Sequence, residues 1–211
     1  MKRSLKDIKM CHQEHQDIDI KVNDSIRKRS TRNIARVALM GVVILVCSFI
    51  RIPVGPVPIT LQTFGVLLAG LLLDPAEAFF SVLLHLVMKI VLGGWVVVIS
   101  PSFGFILAFV VVAPLLSFLT VRTQGKLWPM MIHILLASVL IYAGGLFYMM
   151  GILRLYTGEA QSFSHVFTYA VLIFIPGDIA KAALACLIGY RLYPRFSDAS
   201  AAQRNSEQQR D

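Results

Sequence analysis

From residue 33 onward the chain alternates between long apolar runs and short breaks marked by proline, glycine or charge. A helix crossing a bilayer needs about 20 largely apolar residues, with a range of about 17 to 25. Six runs fit that pattern, at residues 33–50, 59–73, 75–92, 103–121, 129–153 and 165–190. The second is short by itself and extends through the proline-rich stretch before it. Pro75 suits the first position of a helix. Pro176 falls inside the sixth run, where it predicts a kink or an interruption. The expected architecture is therefore all-α: a polytopic membrane domain of six transmembrane helices over 33–192, between polar tails at 1–32 and 193–211. The first tail carries many charges and no sustained apolar period, so it is expected to be disordered.

Composition sharpens this picture. Of 211 residues, 56% are hydrophobic and 15% charged, against roughly 25% charged in an average soluble domain. The mean hydropathy is +0.70. Between Phe64 and Val121 the formal charges are Asp74, Glu77 and Lys89 alone. A soluble fold would expose bare apolar surface there, so lipid is the better solvent.

The net charge of +8 raises nucleic acid as a partner, but its distribution points to a membrane instead. Nine Lys or Arg precede Asn33, Arg122 and Lys126 mark a later connection, and Arg191, Arg195, Arg204 and Arg210 follow the last run. The intervening connections hold Arg51, Arg154 and Lys89. Basic residues gather on the cytoplasmic side, so both termini are expected inside a cytoplasmic membrane.

The three cysteines, Cys11, Cys47 and Cys186, are odd in number and far apart, so no disulfide framework is expected. Cys11, His12 and His15 offer too few ligands for a metal site. The first 32 residues do not read as a cleaved signal peptide.

Candidate chemistry lies in polar residues at membrane depth, which are costly there and mark function by default. Asp178 and Lys181, three residues apart, share a helix face. They either tie helices together or offer an acceptor and a donor to a ligand. Pro53, Pro56, Pro58 and Gly55 preclude a regular helix, and the backbone polar groups of such a stretch belong against protein or water. Thr60, Gln62 and Thr63 follow it with two hydroxyls and an amide. Phe105 and Phe109, one turn apart near the start of the fourth run, suit either packing or a flat ligand. Tyr142 and Tyr148 offer hydroxyls. Lys89 is expected to snorkel to head groups, and His85 and His133 to pack. Ala35, Ala38 and Gly41 form a small-residue stripe that allows close helix contact. Asp74 and Glu77 read as the start of a helix. No phosphate-binding GxxxxGK[ST] loop, HExxH or GxSxG is present, so no catalytic residue, cofactor or metal is expected, and ATP-driven transport would need separate subunits.

The run IPVGPVPITLQTFGVLLAG, residues 52–70, closely resembles the signature of the BioY family, the biotin-specific S components of energy-coupling factor transporters. FIPGDIAKAALACLIGYRL, residues 174–192, resembles that family's last helix, and SPSFGFILAF, residues 100–109, is a looser match. The resemblance covers roughly 33–192. It implies a six-helix S-component fold with its pocket toward the outer face, biotin as ligand, and an ATPase pair with a transmembrane T subunit as partners. It places Asp178 and Lys181 at the ligand together with Thr60, Gln62 and Thr63, with Asp178 accepting from ureido N–H groups. Two alternatives are an S component for another vitamin and an integral-membrane enzyme using Asp178. Acid–base or metal catalysis usually needs several convergent ionisable groups, and the sequence offers one pair.

Overall fold

The computed structural model describes residues 31–52, 58–157 and 174–208. The chain divides into two compact units, Met1–Arg36 and Val37–Asp211. The described part of the first is the opening of helix α1, Thr31–Phe49. Everything below concerns the second.

The apolar runs form helices because lipid leaves backbone polar groups no partner outside their own segment. After α1 come two short antiparallel strands, β1 (Arg51–Ile52) and β2 (Ile59–Thr60), with Arg51 opposite Thr60 and Ile52 opposite Ile59. Helices α2 (Gln62–Leu72), α3 (Pro75–Gly93), α4 (Phe103–Arg122), α5 (Leu127–Thr157) and α6 (Ile175–Gln208) follow. A single 3-10 turn, Trp95–Val97, connects α3 to α4. Among the described residues α1, α3, α4 and α5 are long and apolar enough to cross a membrane.

Helix α2 differs from the others. Its 11 residues rise about 16 Å at roughly 1.5 Å each, near half of a hydrocarbon core of about 30 Å. Nine of them are buried, because α2 packs against α3, α4 and α6. It is an inner helix, and the β1–β2 hairpin leads into it. The central residues of the irregular proline stretch expected before it, 53–57, lie outside the described residues.

Ile44, Val66, Leu67, Leu71, Ala78, Val82, Ala113, Leu116 and Met130 make up the core. Leu39, Val46, Val111, Phe118, Leu135 and Val139 are exposed, as expected of helices that face lipid. Small residues permit the close approaches. Gly41 sits on Leu84 and the Ser81 carbonyl of α3, and Gly70 sits on Leu116 of α4. Gly41, read from sequence as part of a small-residue stripe allowing close helix contact, is buried against this chain's own α3, while Ala38 is exposed. Hydroxyls satisfy some of the buried backbone carbonyls. Ser117 Oγ donates to the Leu73 carbonyl at 2.6 Å, capping α2 from α4, and Ser81 Oγ donates to the Glu77 carbonyl at 2.8 Å.

Two boundaries depart from the sequence reading. Helix α6 begins at Ile175, so Pro176 occupies its first turn, where no helical N–H is lost. It does not kink the described helix; the earlier part of the run, and with it the expected interruption, falls in residues 158–173, outside the described residues. At its other end α6 runs on through Pro194 to Gln208, so the polar C-terminal stretch begins inside a helix. The expectations for Pro75, Asp74 and Glu77 hold: Pro75 opens α3, Asp74 precedes it with extended backbone, and Glu77 lies in the first turn.

Candidate functional site

One end of the bundle holds a cavity of about 260 Å³, close to the roughly 300–1,000 Å³ usual for small-molecule sites. Its position follows from the chain path. The residues lining it come from the C-terminal ends of α1 and α3, the β1–β2 hairpin, the N-terminal ends of α2, α4 and α6, and the middle of α5. These are the ends that alternating helices bring to one side.

The most polar wall is built from α5 and α6. Asp178 N–H donates to the Phe174 carbonyl at 2.9 Å, closing the first turn of α6. That turn holds the Asp178 carboxylate over the cavity. Lys181 Nζ donates to Asp178 Oδ1 at 2.7 Å, and the Tyr142 hydroxyl donates to Asp178 Oδ2. Both members of the ion pair are largely buried. A carboxylate offers about four acceptor positions and an ammonium three donors. The triad leaves about two acceptor positions on Asp178 and two donors on Lys181, so it can still take a ligand carrying both N–H and C=O groups.

Facing residues come from the hairpin and α2. Thr60, Gln62 and Thr63 line the cavity. The Gln62 side chain is buried, and its amide nitrogen has no hydrogen-bond partner among the described residues. A buried amide donor without a partner costs about 1–3 kcal/mol, which a ligand oxygen would offset. The α4 side contributes Phe105, Ile106 and Phe109, and the loop before it contributes Ser100 and Ser102, whose hydroxyl oxygens lie 2.8 Å apart. Phe105 meets the Tyr142 ring edge-on, with centroids 6.2 Å apart and planes at 90°. It reaches α5 because position 145 is glycine; a Cβ there would overlap the Phe105 ring.

The structure thus brings Asp178, Lys181, Thr60, Gln62, Thr63, Phe105 and Tyr142 together around one cavity. Tyr148 plays another part: its hydroxyl donates to the Val98 carbonyl and its ring packs on Phe103, anchoring the α3–α4 connection to α5. His85 is fully buried in α3, in keeping with a packing position. Lys89 corrects an expectation. It does not snorkel away to head groups but lines the cavity, because the C-terminal end of α3 turns that face inward. Arg51, counted in the sequence only as a connection charge, lines the same cavity. Its position at the end of α1, beside the proline stretch, was the available signal. No group of three or more potential metal ligands occurs among the described residues.

Comparison with known proteins gives the context. The model of the family described as "BioY family" matches residues 17–198. A "Probable biotin transporter BioY" of Lysinibacillus sphaericus is 29% identical over 187 residues, covering 83% of this chain and 94% of the relative. One of the same name from Pyrococcus horikoshii is 31% identical over 169 residues, covering 76% and 96%. Among solved structures, the crystal structure of "the S-component for biotin from an ECF-type ABC transporter" superposes with a TM-score of 0.68 at 25% identity, covering 78% of this chain and 92% of that one. The family match spans most of the chain, from ahead of α1 into α6, and takes in every wall of the cavity: the chain belongs to the BioY family.

Proposed function

We propose that this multi-pass membrane protein binds biotin as the substrate-specificity subunit of an energy-coupling factor transporter and mediates its uptake across the cytoplasmic membrane. The observation that carries the reading is the Tyr142–Asp178–Lys181 triad in a cavity shared with the unpartnered Gln62 amide. Biotin's ureido ring has two N–H donors and one carbonyl acceptor. Asp178 accepts from the N–H groups, and Lys181 and Gln62 offer donors to the carbonyl. Phe105 and Phe109 cover the apolar part of the bicycle.

The orientation follows from charge. The end of the bundle opposite the cavity carries Arg122 at the end of α4, Lys126 in the α4–α5 connection, and Arg191 and Arg195 in α6. Basic residues favour the cytoplasmic side, so the cavity opens outward and the polar stretches 1–32 and 193–211 are cytoplasmic. The chain has no nucleotide-binding loop in its sequence. ATPase subunits and a transmembrane T subunit are its partners in transport.

Calorimetric titration of the purified protein in detergent tests the reading, with biotin, thiamin and riboflavin as separate ligands. Biotin is expected to bind and the other two are not. Asp178→Asn keeps the shape but removes the charge, and hydrogen bonds to charged groups are worth about 1.5–3 kcal/mol, so the variant should bind biotin roughly tenfold or more weakly. A folded parent with no heat of biotin binding, or one that prefers another vitamin, overturns the assignment.

A further inference from the structure

The cavity holds more positive charge than its polar triad uses. Lys181 is paired with Asp178 at 2.7 Å. Arg51, from β1, and Lys89, from the last turns of α3, line the same space. Neither makes a salt bridge among the described residues. Two like charges therefore line one cavity, Lys89 half-buried and Arg51 exposed at its rim. Lys89 stands on a different set of packed helices from Asp178: α3 packs on α2 and α4, whereas α6 packs on α2 and α5.

Charge in a membrane-embedded site is costly unless paired, and a second unpaired cation lining the same space raises that cost. Against three cations the described lining supplies one carboxylate, Asp178, already engaged by Lys181 and Tyr142. The unmatched excess is positive.

We propose that Arg51 and Lys89 form an anion-receiving end of the cavity that selects ligands bearing a carboxylate over their neutral esters and amides. This rests on the biotin reading of the site and adds a direction to it. The ureido ring lies toward Asp178 and Tyr142, and the carboxylate at the end of the ligand's side chain lies toward Arg51 and Lys89. The guanidinium can grip a carboxylate through two parallel N–H donors, and the ammonium adds a point charge.

The test is competition binding on the full chain in detergent, with biotin, biotin methyl ester and biotinamide as ligands, for the parent, Arg51→Gln, Lys89→Met and the double variant. The parent is expected to prefer biotin over both neutral ligands by roughly tenfold or more, the size of lost charge-assisted hydrogen bonds. Each single variant should narrow that preference, and the double variant should bind all three ligands within about twofold. Its affinity for the methyl ester should match the parent's, which also shows that it is folded. A parent that binds acid and ester equally, or a double variant that keeps the parent's preference, overturns the proposal while leaving biotin as the ligand. A folded parent that binds none of the three overturns both.

Discussion

At the scale of single residues, the site depends on how few polar groups enter the apolar bundle and how fully they engage one another. Asp178 receives one hydrogen bond from Lys181 and one from Tyr142, and these fix its carboxylate plane. Removing the hydroxyl leaves Asp178 with one donor fewer and freer to rotate. Tyr142→Phe should therefore weaken biotin binding by about tenfold, the equivalent of one hydrogen bond to a charged group, while the Phe105 ring contact persists. Titration of this variant beside the parent checks it, and an unchanged affinity would show that the hydroxyl does not organise the carboxylate. Lys89 and Arg51 teach a different lesson. As letters in the sequence they read as boundary charges, since each lies near the end of an apolar run. Their arrival in one cavity depends on the hairpin register that sets Arg51 opposite Thr60 and on the direction in which the end of α3 faces. Neither is legible from spacing.

At the scale of elements, the cavity is shaped by where helices approach closely and where they are held apart. Among the described elements, helices α4 and α5 make the most extensive contact, and Gly145 lets the Phe105 ring lie against α5. A side chain there pushes the ring into the cavity. Gly145→Val should lower biotin affinity by about tenfold and cost about 1–3 kcal/mol of stability through overpacking. Gly151, on the same helix, is exposed, and a Cβ there would meet no atom within 4 Å among the described residues. Gly151→Ala should bind biotin as the parent does and melt at the same temperature or slightly higher, since alanine favours the helix by up to about 1 kcal/mol. Paired melting curves and titrations in detergent separate the two cases; equal behaviour of both variants would remove Phe105 placement from the account. A similar argument applies to Ser117, whose hydroxyl satisfies the Leu73 carbonyl past the end of α2. Ser117→Ala leaves that buried carbonyl without its donor, and the melting curve should report a loss of about 1–3 kcal/mol. The short, buried α2 was not visible as such in sequence, because its apolar run continues into the proline-rich stretch and hydropathy does not show where helix gives way to hairpin.

For the whole molecule, the relevant asymmetry is between its two ends. One end gathers the cavity, the hairpin and the α6 turn that carries Asp178; the other carries the tight Gln124–Gly125 turn. Gly125 there has φ +64° and would overlap the Tyr193 ring if it bore a Cβ, which ties the α4–α5 turn to α6. Basic residues collect at this second end. Reporter fusions at either terminus should therefore be active only in the cytoplasm, and biotin added outside intact cells should reach the cavity without entering them. A terminus reporting from the outer side would reverse the orientation and with it the direction of uptake.

What the sequence by itself determined is the class of solvent and the polar minority. Long apolar runs leave lipid as the only medium in which these helices are stable, and the rare polar groups within them, Asp178, Lys181, Tyr142, Gln62 and the threonines, are recognisable because burial without a role is costly. Their convergence on one cavity is a property of the tertiary structure. Residues 60 and 178 lie on elements far apart in the chain, and only packing of α2 against α6 and of α6 against α5 brings them to one cavity. The same packing decided that Lys89 and Arg51 line the cavity, that Gly41 serves α3, and that Pro176 begins a helix. Helical periodicity states which residues share a face of one helix; it carries no information about which neighbour, or which cavity, that face will meet.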